Sequence, residues 1–158
     1  MAGAFLNVSS SIQERIFVTK PFVHLHLHTE YSIVDSTVRI PALMNKAASS
    51  AMPAVALTDQ GNMFALVKFF RKAFEYGVKP LIGADLRVRN PDEPDRPFSL
   101  VLLSQDQMGY RNLTRLVSRS YLEGQTRGVA MIEPEWLDAS RSKSLIALSG
   151  GINGDIGR

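Results

Sequence analysis

The sequence predicts an α/β fold, with strands alternating with helices around a mostly parallel sheet, in a chain of 158 residues that suits one ordinary domain or a piece of a larger one. Three observations carry this reading. Short apolar runs with the two-residue period of strands are separated by segments with helical spacing. Apolar residues make up 45% and charged residues 21% of the chain, the balance of a polypeptide that buries a core. No apolar run approaches the ~20 residues of a membrane span. Cysteine is absent, which excludes disulfides and thiolate metal sites and favours a cytoplasmic address.

Residues 1–20 (MAGAFLNVSSSIQERIFVTK) show no clear period and lack the pattern of a secretory leader, so they read as an N-terminal extension. Residues 22–28 (FVHLHLH) alternate strictly, which predicts a strand with His24, His26 and His28 on one face and Val23, Leu25 and Leu27 on the core side. Residues 41–51 read as a helix with Pro41 in its first turn. The apolar run PAVALT at 53–58 has the character of a strand buried on both faces.

Asn62 is placed to cap a helix whose Met63, Leu66, Val67, Phe70 and Phe74 recur at helical spacing, and Gly77 to end it in a left-handed conformation. A strand at 79–88 follows, then a polar, proline-broken loop at 90–97 and a strand at 98–104. A helix over about 106–122, a short one at 135–138 and a last strand at 144–149 complete the pattern. The last strand runs into GGINGDIGR, where a βα unit would turn into its next helix, so the chain reads as truncated at the C-terminus.

All three histidines of the chain fall within five residues. On one strand face their backbones stand ~6–7 Å apart, close enough for two imidazoles to ligate one metal, with zinc, manganese and iron suited to that donor. The competing explanation is a polar edge-strand face of hydrogen-bonded histidines. Carboxylates are available nearby. Asp59 directly follows the buried strand, at the strand end where α/β sheets hold their sites, Asp85 lies in the next strand, and Asp35 follows the histidine segment. For Asp35 a turn or cap explains the residue equally well; for Asp59 less so, because Asn62 already fills the cap.

Other features say less. Arg111, Arg115 and Arg119 form a helical stripe better explained as a solvated face than as a phosphate-binding surface. The net charge of +3 and pI near 9.4 are compatible with nucleic acid without indicating it. No glycine-rich phosphate loop or serine-nucleophile elbow is present.

Five collinear blocks, FVHLHLHTEYSIVDS, PAVALTDQGNMFALVKF, GVKPLIGADLRV, MGYRNLTRLVSRSY and LIALSGGINGDIG, together resemble the amino-terminal PHP (polymerase and histidinol phosphatase) domain of the bacterial replicative DNA polymerase alpha-subunit family. The resemblance runs over residues 22–157. It implies a PHP-type distorted (β/α)7 barrel, present here in part, with residues 21–158 forming its first portion.

In that family His, Asp and Glu at the strand ends bind up to three metals, and some members cleave phosphoesters. By matching motif, His26 and His28 fall on the first HxH pair, Asp35 on the acid of the YSxxD block and Asp59 on the Asp of the TDH block. Asp85 replaces the Glu of the GxE block. Gln60 stands where TDH has histidine, and Ser99 where a further histidine is common. The resemblance therefore implies a degenerate site, with weak zinc or manganese binding at most and no catalytic residue assigned.

It also implies a parent chain that synthesises DNA on a template with magnesium held elsewhere. The implied partners are the rest of the polymerase chain, the proofreading exonuclease subunit and, through the parent, DNA, with no membrane. The alternative is a stand-alone metal-dependent phosphoesterase using His26, His28 and Asp59.

Overall fold

Four strands form one sheet in the computed structural model, which describes residues 22–157. The N-terminal extension expected at 1–20 lies outside the described residues. β1 (Ala54–Leu57) pairs parallel with β2 (Lys79–Val88). β2 then pairs antiparallel with β3 (Phe98–Ser104), and β3 antiparallel with β6 (Leu145–Ser149).

The sheet is therefore mixed, which corrects the expectation of a mostly parallel one, and among the described residues it does not close into a barrel. The reason is legible afterwards. A parallel return needs a crossover of a dozen or more residues, and the loop between β2 and β3 is too short for one.

Three helices lie on one face of this sheet. α1 (Ile40–Ser49) and α2 (Leu66–Glu75) cover β1, burying Ile40, Met44, Val55, Leu57, Phe69 and Ala73. α3 (Gln107–Leu122) covers β2 and β3 through Leu113 and Leu116 against Ala84, Leu86 and Leu102. Its cap is Asp106, which accepts a hydrogen bond from the Gly109 amide at 2.9 Å. The opposite face holds a smaller apolar cluster of Ala56, Val101 and Leu103 with Leu81 and Leu148 against it. Strand alternation puts Asp85 and Arg87 on this second face, away from the helices.

Gly83, on the same face of β2, is required by close approach: a Cβ there would stand 2.5 Å from the Leu102 carbonyl oxygen. No helix among the described residues is long and apolar enough to cross a membrane.

Four local expectations change. The predicted strand at 22–28 reduces to a single bridge between His24 and Val55. Ala56 donates to the His24 carbonyl at 2.8 Å and Thr58 to that of Leu27 at 3.0 Å. The two-residue step from Ala56 to Thr58, at the end of β1, thus faces a three-residue step from His24 to Leu27, an extra residue that bends the chain and flips its alternation. Leu25 is consequently 41% exposed, and His24 turns from its two companions to pack edge-on against Phe22, with ring centroids 4.8 Å apart.

The α2 stripe is also shifted: Phe69 and Ala73 are buried, whereas Val67, Phe70 and Phe74 are exposed. Asn62 does not cap this helix, which starts only at Leu66. Its side chain instead accepts from the Phe64 amide and donates to the Tyr31 and Gln60 carbonyls. The expected helix at 135–138 is a 3-10 turn over Pro134–Trp136.

A two-residue hairpin joining β4 (Gln125–Thr126) and β5 (Val129–Ala130) was not foreseen. Arg127 and Gly128 both take positive φ there, as a type I′ turn demands. Gly77 has φ +68°, the left-handed conformation expected at the end of α2.

Candidate metal centre

The extra residue opposite β1 aims His26 and His28 over the second face of the sheet, where Asp85 rises from β2. Asp85 Oδ2 lies 3.1 Å from His26 Nε2 and 3.2 Å from His28 Nε2, and the two Nε2 atoms stand 3.1 Å apart. Three atoms that all carry lone pairs can share so small a space only with protons or a cation between them. These three residues form the group whose ligand atoms lie within 4.8 Å of one another.

Tetrahedral ligands ~2.1 Å from a zinc ion stand ~3.4 Å apart, and two imidazoles with a carboxylate are a suitable donor set. The residues present fit one ion.

The supporting contacts hold this triangle in place. Ser99, across the antiparallel pair, donates to Asp85 Oδ1 at 2.8 Å and leaves Oδ2 for the imidazoles. The turn at 29–35 closes through hydrogen bonds from the Ser32 backbone amide to the Thr29 carbonyl and from the Asp35 amide to the Ser32 carbonyl, both 2.9 Å. That turn delivers Asp35 to His28 Nδ1. A carboxylate on the far nitrogen fixes the ring and leaves Nε2 facing the cluster, the usual arrangement behind a metal-ligating histidine.

Electrostatics follow from this geometry. The His28 pKa is pushed up to about 9, first by the hydrogen bond to Asp85; burial opposes the rise and Asp35 adds to it. For Asp85 burial pushes the carboxyl up, but hydrogen bonds from His28 and Ser99 and the charge of both imidazoles outweigh it, so it sits below the usual carboxylate range. His28 and Asp85 are well shielded, with side chains 13% and 6% exposed, whereas His26 is 48% exposed.

Of the other residues singled out from the sequence, Asp59 is fully buried and committed elsewhere. Its carboxylate accepts from the Thr29 amide at 2.6 Å, the Thr29 hydroxyl at 2.7 Å and the Ser32 hydroxyl at 2.8 Å. It pins the 29–32 turn to the end of β1 and lies outside the three-residue group. Gln60 accepts at Oε1 from Arg87 Nη2 at 2.9 Å.

Arg87 went unnoticed in the sequence, although its place two residues after Asp85 on one strand was the available signal. The arginine stripe is partly neutralised: Arg119 pairs with Glu123 at 2.7 Å and lies over the Trp136 ring. His26, His28, Asp85, Gln60, Arg87 and Ser99 all line one cavity of about 560 Å³.

An open cavity carrying a two-histidine, one-carboxylate donor set on the face of a mixed sheet opposite α1, α2 and α3 defines an α/β domain with a candidate metal centre. The chain belongs to the PHP domain family, which matches residues 24–158. The DNA polymerase III subunit alpha of Pseudomonas fluorescens is 51% identical over 137 residues, 86% of this chain and 12% of that protein. The subunit of the same name from Pseudomonas aeruginosa is 48% identical over 141 residues, 89% of this chain and 12% of that protein.

The chain thus spans about an eighth of the length of the relatives it matches. Among solved structures, an amidohydrolase from Chromobacterium violaceum with bound sulfate and no metal is similar at TM-score 0.47 and 21% identity, over 75% of this chain and 45% of its own.

Proposed function

We propose that this chain is the first part of the PHP domain, over residues 21–158, of a replicative DNA polymerase III alpha subunit. The longer chain would synthesise DNA on a template, with magnesium held outside this region. The single observation that carries the reading is identity of 48–51% across nearly the whole chain to polymerase subunits of which it spans 12%.

The role of this region is structural: it packs on the polymerase body and docks the proofreading exonuclease subunit. Support comes from how the family's site positions are used here. Asp59 anchors a turn, Ser99 satisfies Asp85, and Gln60 is bonded to Arg87.

His26, His28 and Asp85 would hold a single zinc or manganese ion, weakly, where it would supply positive charge and Lewis acidity to a bound oxyanion. Asp35 orients His28 and Ser99 orients Asp85 toward that position. The test is primer extension by the full reading frame that contains these residues, with co-elution of the exonuclease subunit. Templated synthesis and co-elution dependent on residues 22–157 are expected; a reading frame with no polymerase activity would refute the proposal.

One observation favours a second reading, a stand-alone metal-dependent phosphoesterase: the three donor atoms already converge. Turnover of a phosphomonoester by the 158-residue chain with added Mn²⁺ would favour it, and absence of turnover the first.

A further inference from the structure

Arg87 is half-buried, and its guanidinium takes no carboxylate partner among the described residues. Among the described residues its single side-chain hydrogen bond is with neutral Gln60, at 2.9 Å. An arginine that loses part of its hydration gains from pairing with an acid, and here the nearest acid on its own strand face, Asp85, is already engaged by Ser99, His26 and His28.

Gln60 is fixed in turn. Its backbone bridges Asp85 in the parallel sense and its backbone N–H donates to Ser32 Oγ at 3.0 Å. The guanidinium is thereby pinned at the wall of the cavity that His26, His28 and Asp85 also line, with Arg87 and Asp85 ~7 Å apart along β2 by strand geometry.

We propose that Arg87, held by Gln60, is a built-in positive charge that takes the place of an additional metal ion and limits this pocket to one weakly held divalent cation. The inference rests on the reading of His26, His28 and Asp85 as the ion's ligands and says what sets the capacity of that site. A fixed cation repels a divalent ion brought into the same partly desolvated cavity. Gln60 adds to the effect, because it offers a neutral amide where an imidazole would offer a ligand and spends its oxygen on Arg87. Asp85 stays available to the first ion because Ser99, and not Arg87, occupies its Oδ1.

The experiment is a Mn²⁺ titration of the full 158-residue chain by calorimetry, with free ion counted by electron paramagnetic resonance and folding checked by circular dichroism. Arg87→Met is expected to tighten the single ion by about tenfold, the scale of removing one nearby charge. Arg87→Lys, which keeps the charge, should stay near the original affinity. Gln60→His combined with Arg87→Met is expected to admit a second ion.

Equal affinities for the original chain, Arg87→Met and Arg87→Lys would overturn the inference. If that binding still disappears in Asp85→Asn, the ligand assignment survives alone. Two or more ions held by the original chain would overturn the one-ion limit. No Mn²⁺ uptake by any folded variant would overturn the ligand assignment and the inference together.

Discussion

Ser99 and Asp85 meet across the antiparallel β2–β3 pair, hydroxyl to carboxylate at 2.8 Å, and this contact divides the carboxylate between two tasks. Oδ1 is satisfied by the sheet and Oδ2 faces the imidazoles. Ser99→Ala removes the donor and leaves a buried oxygen short of a partner, at a cost of about 1–3 kcal/mol. Urea unfolding should show that loss together with a raised Asp85 pKa. An unchanged midpoint would mean that the contact does not shape the site.

The His28 imidazole makes the chain's stability depend on alkaline pH. Its folded pKa is about 9 against an ordinary value near 6.5. A raised folded pKa gives stability that is fully present below pH ~6.5 and lost as pH rises through about 9. Asp85, with its pKa lowered, acts in the opposite sense and loses its contribution only in acid. Melting temperatures of the metal-free chain should fall between pH 6.5 and 9.5, and the fall should flatten in His28→Asn. Identical slopes in both proteins would contradict this origin.

Asp59 separates a turn anchor from a metal ligand by experiment. Its three hydrogen bonds lie in a fully buried setting, and Asp59→Ala should cost roughly 3 kcal/mol or more. Ion uptake by the remaining folded protein should be unchanged. Loss of uptake with retained stability would place Asp59 among the ligands.

The phase of α2 can be checked in the same way. Phe69 is completely buried and Phe74 is 67% exposed. Phe69→Ala should cost ~3–5 kcal/mol, whereas Phe74→Ser should change stability by no more than about 0.5 kcal/mol. Similar costs at both positions would contradict the observed packing.

This phase was not readable from the sequence because α2 carries two adjacent apolar stripes. Spacing alone favoured the one through Val67, Phe70 and Phe74, yet tertiary packing buried Phe69 and Ala73. Element positions were legible wherever period and punctuation agreed, as at β1, β2, β3 and the Asp106-capped α3. Strand direction was not, since alternation of strands and helices hid the missing crossover between β2 and β3.

The histidine segment shows how far the site itself could be read. Its composition and period pointed to all three histidines, and the resemblance to His26 and His28, but the extra residue that removes His24 is a backbone event with no sequence mark. Arg87 was overlooked because an arginine in a strand ordinarily faces solvent, and only the fold shows that its face is the cavity wall.

The most direct test of the central claim, a single weak ion site formed by His26, His28 and Asp85, is a Zn²⁺ titration of the 158-residue chain by native mass spectrometry. The account predicts one ion bound weakly and lost in His28→Asn and in Asp85→Asn. Two or three tightly held ions, or one ion retained in both variants, would contradict it.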